Sequence, residues 1–284
     1  MSLIHDKVAV VTGAGSGIGR ALAVGLAGRG ARLALSDIDE DGLAQTAQRV
    51  RAAGVEVHTA PLDVGDRAAV GAYAQAVAEH YGVVHQLYNN AGVGDLATPL
   101  VETDYAMFDR VLGVNLWGVI HGTKEFLPHL IASGDGHVVN VSSLNGFMGQ
   151  AYMTPYCASK FAVRGFTEAL RAEMRAGRRP VVVTVVHPGG VQTNISNAAL
   201  AASGELPPAE RERAERRTQV YNETLFRTPP AKAATIILDG VEAGKERILV
   251  GRDAQAVDAV VRLFPAVYSR AVAWWERRTF GDAR

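Results

Sequence analysis

A β-branched run from Val8 to Thr12 passes straight into Gly13-Ala14-Gly15-Ser16-Gly17-Ile18-Gly19, and helical apolar spacing then continues over residues 18–29. This junction limits the fold more than any other feature of the chain. A strand that turns through glycines into a helix leaves the first helical amides without partners and points the positive end of the helix dipole at the loop. Glycines also let another group come close to the backbone. The unit is therefore a candidate phosphate cradle, and the plain alternative, a tight turn of no further consequence, fits poorly with its place between the first strand and the first helix.

The alternation continues along the chain. Strand-like runs recur at residues 32–36, 55–60, 84–88, 138–142, 181–186 and 247–250. Helical spacing lies between them at 43–53, 68–81, 105–131, 161–176 and 231–243. The strands are apolar on both faces, which predicts an α/β fold with a doubly wound, mostly parallel sheet of about seven strands covered by helices on each side. One domain over residues 1–251 is the economical organisation. Residues 194–230 break the pattern with Gly204, Pro207, Pro208 and alternating Glu and Arg from Glu210 to Arg217, and are expected to form a lid after the sixth strand with those charges on a solvated helix face. Residues 252–284 are expected to form a helical extension, with Val260, Phe264, Val267, Ala271 and Trp274 at helical spacing among Arg262, Arg270, Arg277 and Arg278. Packing on its own body or a neighbouring subunit is the expectation, and an interfacial membrane helix carrying Trp275 is the alternative.

Composition removes several classes of function. The 29 basic and 29 acidic residues cancel, so no global field draws in nucleic acid or an anionic membrane. Cys157 is the single cysteine, which rules out an intrachain disulfide, and the eight histidines show no metal-ligand spacing, so no metal is expected. Charge at His5, Asp6 and Lys7 interrupts any secretory core and no apolar run is long enough to span a bilayer, so a cytoplasmic protein is expected.

At the end of the second strand stands Asp37, between Ser36 and Ile38. A carboxylate there suits a free ribose 2′-hydroxyl and repels a 2′-phosphate, so NAD is expected in preference to NADP. Arg20 is the residue that could compensate a phosphate, and a turn cap shared with Asp39 and Glu40 is the structural alternative for Asp37.

Thr12 to Gly19, Asn89-Asn90-Ala91-Gly92, Asn115, Ser143 and Tyr156-Cys157-Ala158-Ser159-Lys160, in this order and spacing, resemble the short-chain dehydrogenase/reductase family in its single-domain branch. The resemblance runs from about Lys7 to Val250 and implies a Rossmann-type three-layer fold, an oxidoreductase acting on an alcohol or ketone, and a homodimer or homotetramer built on the long helices. It places Gly13, Ser16, Gly17, Ile18 and Gly19 against the dinucleotide, and Asp63 and Val64 beside adenine, with a loop cap as the alternative for Asp63. It sets Asn90, Ala91 and Gly92 along the cofactor, and Pro188, Gly189, Val191 and Thr193 around the nicotinamide.

Thr154 and Pro155 predict a helix N-cap and first-turn proline, which puts Tyr156 and Lys160 on one helical face. A free phenol titrates near ~10, so Tyr156 needs positive charge to act as a base; Lys160 and oxidised nicotinamide both supply it. Ser143, at the end of the fifth strand, is the expected partner of the substrate oxygen, with Ser142 as its competitor. The family resemblance gives Asn115 a water-mediated proton path from Lys160, against a buried structural asparagine. His187 and Cys157 are read as packing residues. Leu144, Phe147, Met148, Met153, Val191 and Ile195 flank this region, so a hydrophobic secondary alcohol or ketone is expected as substrate, although several could be core. A non-catalytic NAD-binding module and an NADP-dependent carbonyl reductase are the rival readings.

Overall fold

The computed structural model describes residues 3–280; positions 1–2 and the last four of the expected extension, 281–284, lie outside it. β1 (Val8–Thr12) is entirely buried and lies between β2 (Arg32–Asp37) and β4 (Gln86–Asn89), parallel to both. With β3 (Val57–Pro61), β5 (Gly136–Val141), β6 (Val181–Pro188) and β7 (Arg247–Val250) it forms a seven-stranded parallel sheet in the order β3-β2-β1-β4-β5-β6-β7. The order reverses between β1 and β4, and in open α/β sheets the crevice at such a switch point, at the carboxyl ends of the strands, is where ligands bind.

Alternate residues of the strands feed two cores. Ala9 and Val11 pack with Leu22 and Leu26 of α1 (Gly17–Ala27) and Ile237 and Leu238 of α9 (Pro230–Glu242). Val8 and Val10 face the other way, onto Val70 and Val77 of α3 (Arg67–Tyr81), Phe126 and Leu130 of α5 (Gly118–Ala132) and Leu170 of α6 (Thr154–Ala176). This is the three-layer arrangement that strands apolar on both faces require. Each fully buried side chain of this size stabilises the fold by roughly 1.5–3 kcal/mol.

Several boundaries differ from the sequence reading. β3 and β4 each start two residues later than expected, because pairing with β1 and β2 begins only at Val57 and Gln86. The helix expected over 105–131 is α4 (Tyr105–Leu112), a π turn over Gly113–Trp117 and α5. α6 begins at Thr154, seven residues before the apolar spacing sets in at 161 and within one residue of the start that Thr154 and Pro155 predict. Thr154 is not its cap: the N-cap position is Met153, which makes no side-chain bond.

Residues 194–230 contain α7 (Ile195–Ala201), α8 (Pro208–Val220) and a π turn over Tyr221–Leu225. The ends of this segment meet where Val191 bridges Thr228 and the amides of Arg227 and Thr228 donate to the Gly190 carbonyl. The chain then continues through α9 and β7 into α10 (Arg252–Leu263) and α11 (Tyr268–Phe280). Among the described residues no helix is long and apolar enough to cross a membrane.

Candidate active site

The loop after β1 is shaped by close approaches that a side chain would block. Gly13 has φ +67, and a Cβ on it would lie 2.7 Å from Ala91 Cα; one on Gly19 would run into the Gly13 carbonyl oxygen. Thr12 Oγ1 accepts from the amides of Asn90 and Ala91, both at 3.1 Å, and Asn90 Nδ2 donates to the carbonyls of Thr12 (2.9 Å) and Gly13 (3.2 Å). The Asn90 side chain thus fastens the β4 end to the glycine loop. Ser16 precedes α1 in an extended conformation without a side-chain cap, and the first turn, which includes Ile18, carries no acid. The positive end of α1 therefore meets a backbone cradle, which is the donor set a pyrophosphate needs.

Asp37 Oδ2 accepts from the Gly15 amide at 2.7 Å and Oδ1 from the Asp39 amide at 2.9 Å. The cap of α2 (Glu40–Ala52) is Asp39, so Asp37 is not engaged as a helix cap. Arg20, which could have compensated a 2′-phosphate, donates to the carbonyls of Gly15 and Gly42 and to Thr46 Oγ1. Asp63 is exposed and closes a turn by accepting from the Gly65 amide at 2.8 Å; Val64 is buried against Gly118. On the other side, Pro188 ends β6, the Gly189 amide donates to Val250, Val191 is buried, and Thr193 sits against Gly17. These residues fit a dinucleotide laid across the strand ends.

Ser143, Tyr156 and Lys160 come together beyond β5. Ser142 Oγ donates to the Lys160 carbonyl, which fixes it beneath α6. Ser143 instead caps the 3-10 turn Leu144–Gly146, accepting from the Asn145 amide at 3.1 Å, and its hydroxyl favours the ionised form of the Tyr156 phenol. Lys160 Nζ donates to the Val141 carbonyl at 3.2 Å and lies 5.6 Å from the centre of the Tyr156 ring. Burial depresses the Lys160 ammonium to about 8. Burial also pushes the Tyr156 phenol up to about 12, with the Ser143 hydroxyl opposing and the charge of Asp95 adding to the rise. Gly92 faces this cluster: a Cβ on it would meet Asn115 Oδ1 at 3.1 Å and Lys160 Nζ at 3.4 Å.

Asn115 sits fully buried in the π turn. Its Oδ1 accepts from the Val93 amide (2.8 Å), and its Nδ2 donates to the Val93 carbonyl (2.9 Å) and to Ser159 Oγ (3.2 Å). It thereby joins the loop after β4 to the helix that carries Tyr156. His187 donates from Nδ1 to the Ser143 carbonyl at 2.7 Å, and burial lowers its ring to about 4, so it is neutral at physiological pH. The Cys157 thiol is buried and pushed up by that burial, which makes it a poor nucleophile.

One group in the site is absent from the sequence reading. Asp95, in the loop between β4 and α4, accepts from the Tyr156 amide at 3.1 Å through Oδ2 and from the Ala97 amide at 3.3 Å through Oδ1. It supplies from a distant loop the cap that Met153 cannot give α6. Burial raises its carboxyl to about 6. An aspartate in a glycine-bearing loop has no periodic signature, and only the tertiary contact reveals it.

A cavity of about 100 Å³ opens on the phenol, with Asp95, Gln150, Met153, Tyr156, Ile195 and Arg217 among its walls. Of the apolar residues expected to flank substrate, Met153 and Ile195 line it, whereas Phe147 and Val191 are core residues, each 4% exposed, and Leu144 and Met148 are not part of the wall. The wall of the chamber is more apolar than polar, with Asp95, Gln150 and Arg217 among the polar groups set into it. A larger groove, about 970 Å³, runs from Gly17 and Thr193 between α1 and α9 without reaching Tyr156. Among the described residues no cluster of three or more His, Cys, Asp or Glu is placed to hold a metal ion.

Comparison with known proteins agrees with this geometry. The short chain dehydrogenase family model matches residues 7–203. The chain is 48% identical over 273 residues to the putative oxidoreductase SadH of Mycobacterium tuberculosis, covering 96% of each, and 34% identical over 259 residues to levodione reductase of Leifsonia aquatica, covering 90% of this chain and 91% of that one. The crystal structure of a short-chain dehydrogenase/reductase from Burkholderia phymatum in complex with NAD superposes with a TM-score of 0.86 at 35% identity, over 95% of this chain and 97% of that one. A parallel sheet in this strand order, a glycine cradle at its switch point and a sequence match over most of the chain lead to one assignment: this protein is a member of the short-chain dehydrogenase/reductase family of oxidoreductases.

Proposed function

We propose that the protein is an NAD-dependent oxidoreductase that interconverts a secondary alcohol and its ketone, with Tyr156 as general acid and base. The observation that carries this reading is the grouping of Ser143 and Lys160 about Tyr156, which itself lines a small cavity. A phenol buried in this way serves no binding purpose that a phenylalanine would not serve as well, which speaks against a non-catalytic NAD-binding module. Asp37 at the end of β2, with Arg20 held by carbonyls beneath the loop, favours NAD over NADP. The Burkholderia relative, itself in complex with NAD, supports the same choice.

NAD bound in the cradle would supply hydride transfer and, when oxidised, a positive charge near the phenol. The chain's own residues do the rest. Ser143 holds the substrate oxygen by a hydrogen bond, and Tyr156 takes the hydroxyl proton in oxidation or returns it in reduction. With its phenol near 12 from burial, Tyr156 is poised as the donor, so the reduction direction needs no prior deprotonation. Acting as a base requires added positive charge, and the Lys160 ammonium 5.6 Å away provides part of it below about pH 8. Asn115, tied to Ser159 and Val93, keeps the loop and α6 in register.

Residues 194–230 act as a lid over the cavity, to which α7 and α8 contribute Ile195, Ala214 and Arg217. Trp117 and Phe161, 53% and 41% exposed on the helices that flank this site, give a homodimer or homotetramer an apolar face to cover. A panel of secondary alcohols and ketones, followed by nicotinamide absorbance with NAD and with NADP, tests the reaction. Turnover with NAD of compact substrates of mixed or apolar character supports it, and the absence of turnover with every alcohol and ketone, or a clear preference for NADP, rejects it.

A further inference from the structure

The charges of α8 were expected on a solvated face, and Arg211, Arg213 and Arg216 are indeed exposed. Arg217 is not. Its Nη2 donates to Glu276 Oε1 of α11, and the two side chains are only 12% and 4% exposed. The guanidinium lies 4.1 Å from the centre of the Phe280 ring and 5.5 Å from that of Tyr152, so aromatic rings of α11 and of the loop before α6 both contact it. Tyr221, beyond the end of α8, meets Phe280 edge-on at 6.1 Å, and Gln150 Nε2 donates to the Tyr221 hydroxyl at 2.8 Å. At the other end of α11 the Tyr268 hydroxyl accepts from the Gly149 amide. The extension therefore grips the two elements that enclose the substrate cavity, the lid and the loop at 149–153.

Arg217 is also a partition. It lines the chamber of about 100 Å³ that contains Tyr156, and equally a neighbouring cavity of about 210 Å³ whose walls include Glu102, Tyr152, Leu206, Glu276 and Phe280. The two cavities share Leu96, Ala97, Ala214 and Arg217, and Arg217 is the longest of these side chains. A guanidinium withdrawn from water is held in place only while its counter-charge is present. Arg217 Nε and Glu276 Oε2 are buried without partners, so the pair is poorly satisfied for a device that serves stability alone.

We propose that α11 is a built-in wall of the substrate site: Glu276 holds Arg217 across the far end of the Tyr156 chamber, and so limits the length of the alcohol or ketone that enters. Glu276 is a positioning residue and Arg217 a specificity-determining one. The proposal rests on the alcohol/ketone reading of the site. It also gives the extension a function that a passive tail lacks. Without the partition the two cavities join, and a substrate with a long aliphatic arm gains room behind Arg217.

The test compares a four-carbon with a ten-carbon methyl ketone in wild type, Arg217→Ala, Glu276→Ala and Glu276→Gln. Binding to the full-length protein with NAD is measured by calorimetry, and reduction of the ketones separately with NADH by nicotinamide absorbance. Wild type is expected to favour the short ketone by about tenfold or more, Arg217→Ala and Glu276→Ala to lose that ratio, and Glu276→Gln, which can still hydrogen-bond the guanidinium, to keep most of it. Arg217→Met, which preserves the packing of the side-chain stem, serves in place of an alanine variant that does not fold. A ratio unchanged by removal of Arg217, a wild type that prefers the long ketone, or a wild type that binds neither overturns the proposal. Length-selective binding without any turnover keeps the wall and rejects the proposed reaction.

Discussion

Asp95→Asn separates the charge of this carboxyl from its shape. Burial moves the group from 3.8 to about 6, which corresponds to an ionisation cost of roughly 3 kcal/mol in the folded chain. Below about pH 4 the carboxyl is protonated in both folded and unfolded chains, and the cost is absent. As pH rises through about 6 the folded protein must release a proton it holds more tightly than the unfolded chain does, so the stability tied to that proton is lost. Asparagine never ionises, but it has a single acceptor. It keeps the bond to the Tyr156 amide and gives up the longer one to Ala97, at a cost of about 1 kcal/mol. The net gain at neutral pH is then about 2 kcal/mol, or a thermal midpoint higher by about 3–4 °C for a chain of this size. Thermal denaturation followed by circular dichroism across a pH series checks this, with the advantage shrinking to nothing or reversing near pH ~4. The same substitution removes a charge that pushes the Tyr156 phenol up, so the pH profile of alcohol oxidation is expected to move to lower pH. A variant no more stable than wild type at neutral pH, with an unmoved profile, refutes the reasoning.

Other substitutions probe the remaining parts. Ser143→Ala is expected to lower kcat by about a hundredfold or more, while Ser142→Ala, which removes only a bond to the Lys160 carbonyl, costs about 1 kcal/mol of stability and little activity; the reverse pattern in steady-state kinetics would exchange their roles. Gly13→Ala places a Cβ 2.7 Å from Ala91 Cα at a positive φ, so loss of NAD binding or of folding is expected, and calorimetry showing normal affinity counts against the cradle. Asp37→Ala is expected to reduce the preference for NAD over NADP by about tenfold, read as the ratio of kcat/KM for the two dinucleotides.

β1, β5 and β6 were readable because they are short runs rich in β-branched residues, whereas β2 and β4, which hold none, were legible only as apolar runs between turn residues. The π turn around Asn115 was not readable. The apolar spacing that predicts a helix carries on from Val111 to Val119, and nothing in it marks one wider turn. The N-cap of α6 was misplaced for a related reason: Thr154 has the chemistry of a cap, but Asp95 reaches the Tyr156 amide from 61 positions away and no local rule sees it. Phe147 and Val191 looked like substrate contacts because they lie near Ser143 and Thr193 in the chain, while in space they belong to the core. Arg217 ends a run whose other arginines are solvated, and only the return of α11 onto α8 makes it different.

The central claim is that the Tyr156 phenol transfers the proton, and Tyr156→Phe tests it most directly because the ring stays and only the hydroxyl is lost. Turnover of the best alcohol or ketone is expected to fall by about a thousandfold or more, with affinity for NAD by calorimetry changed less than about twofold. A phenylalanine variant that still turns over within about tenfold of wild type contradicts the account.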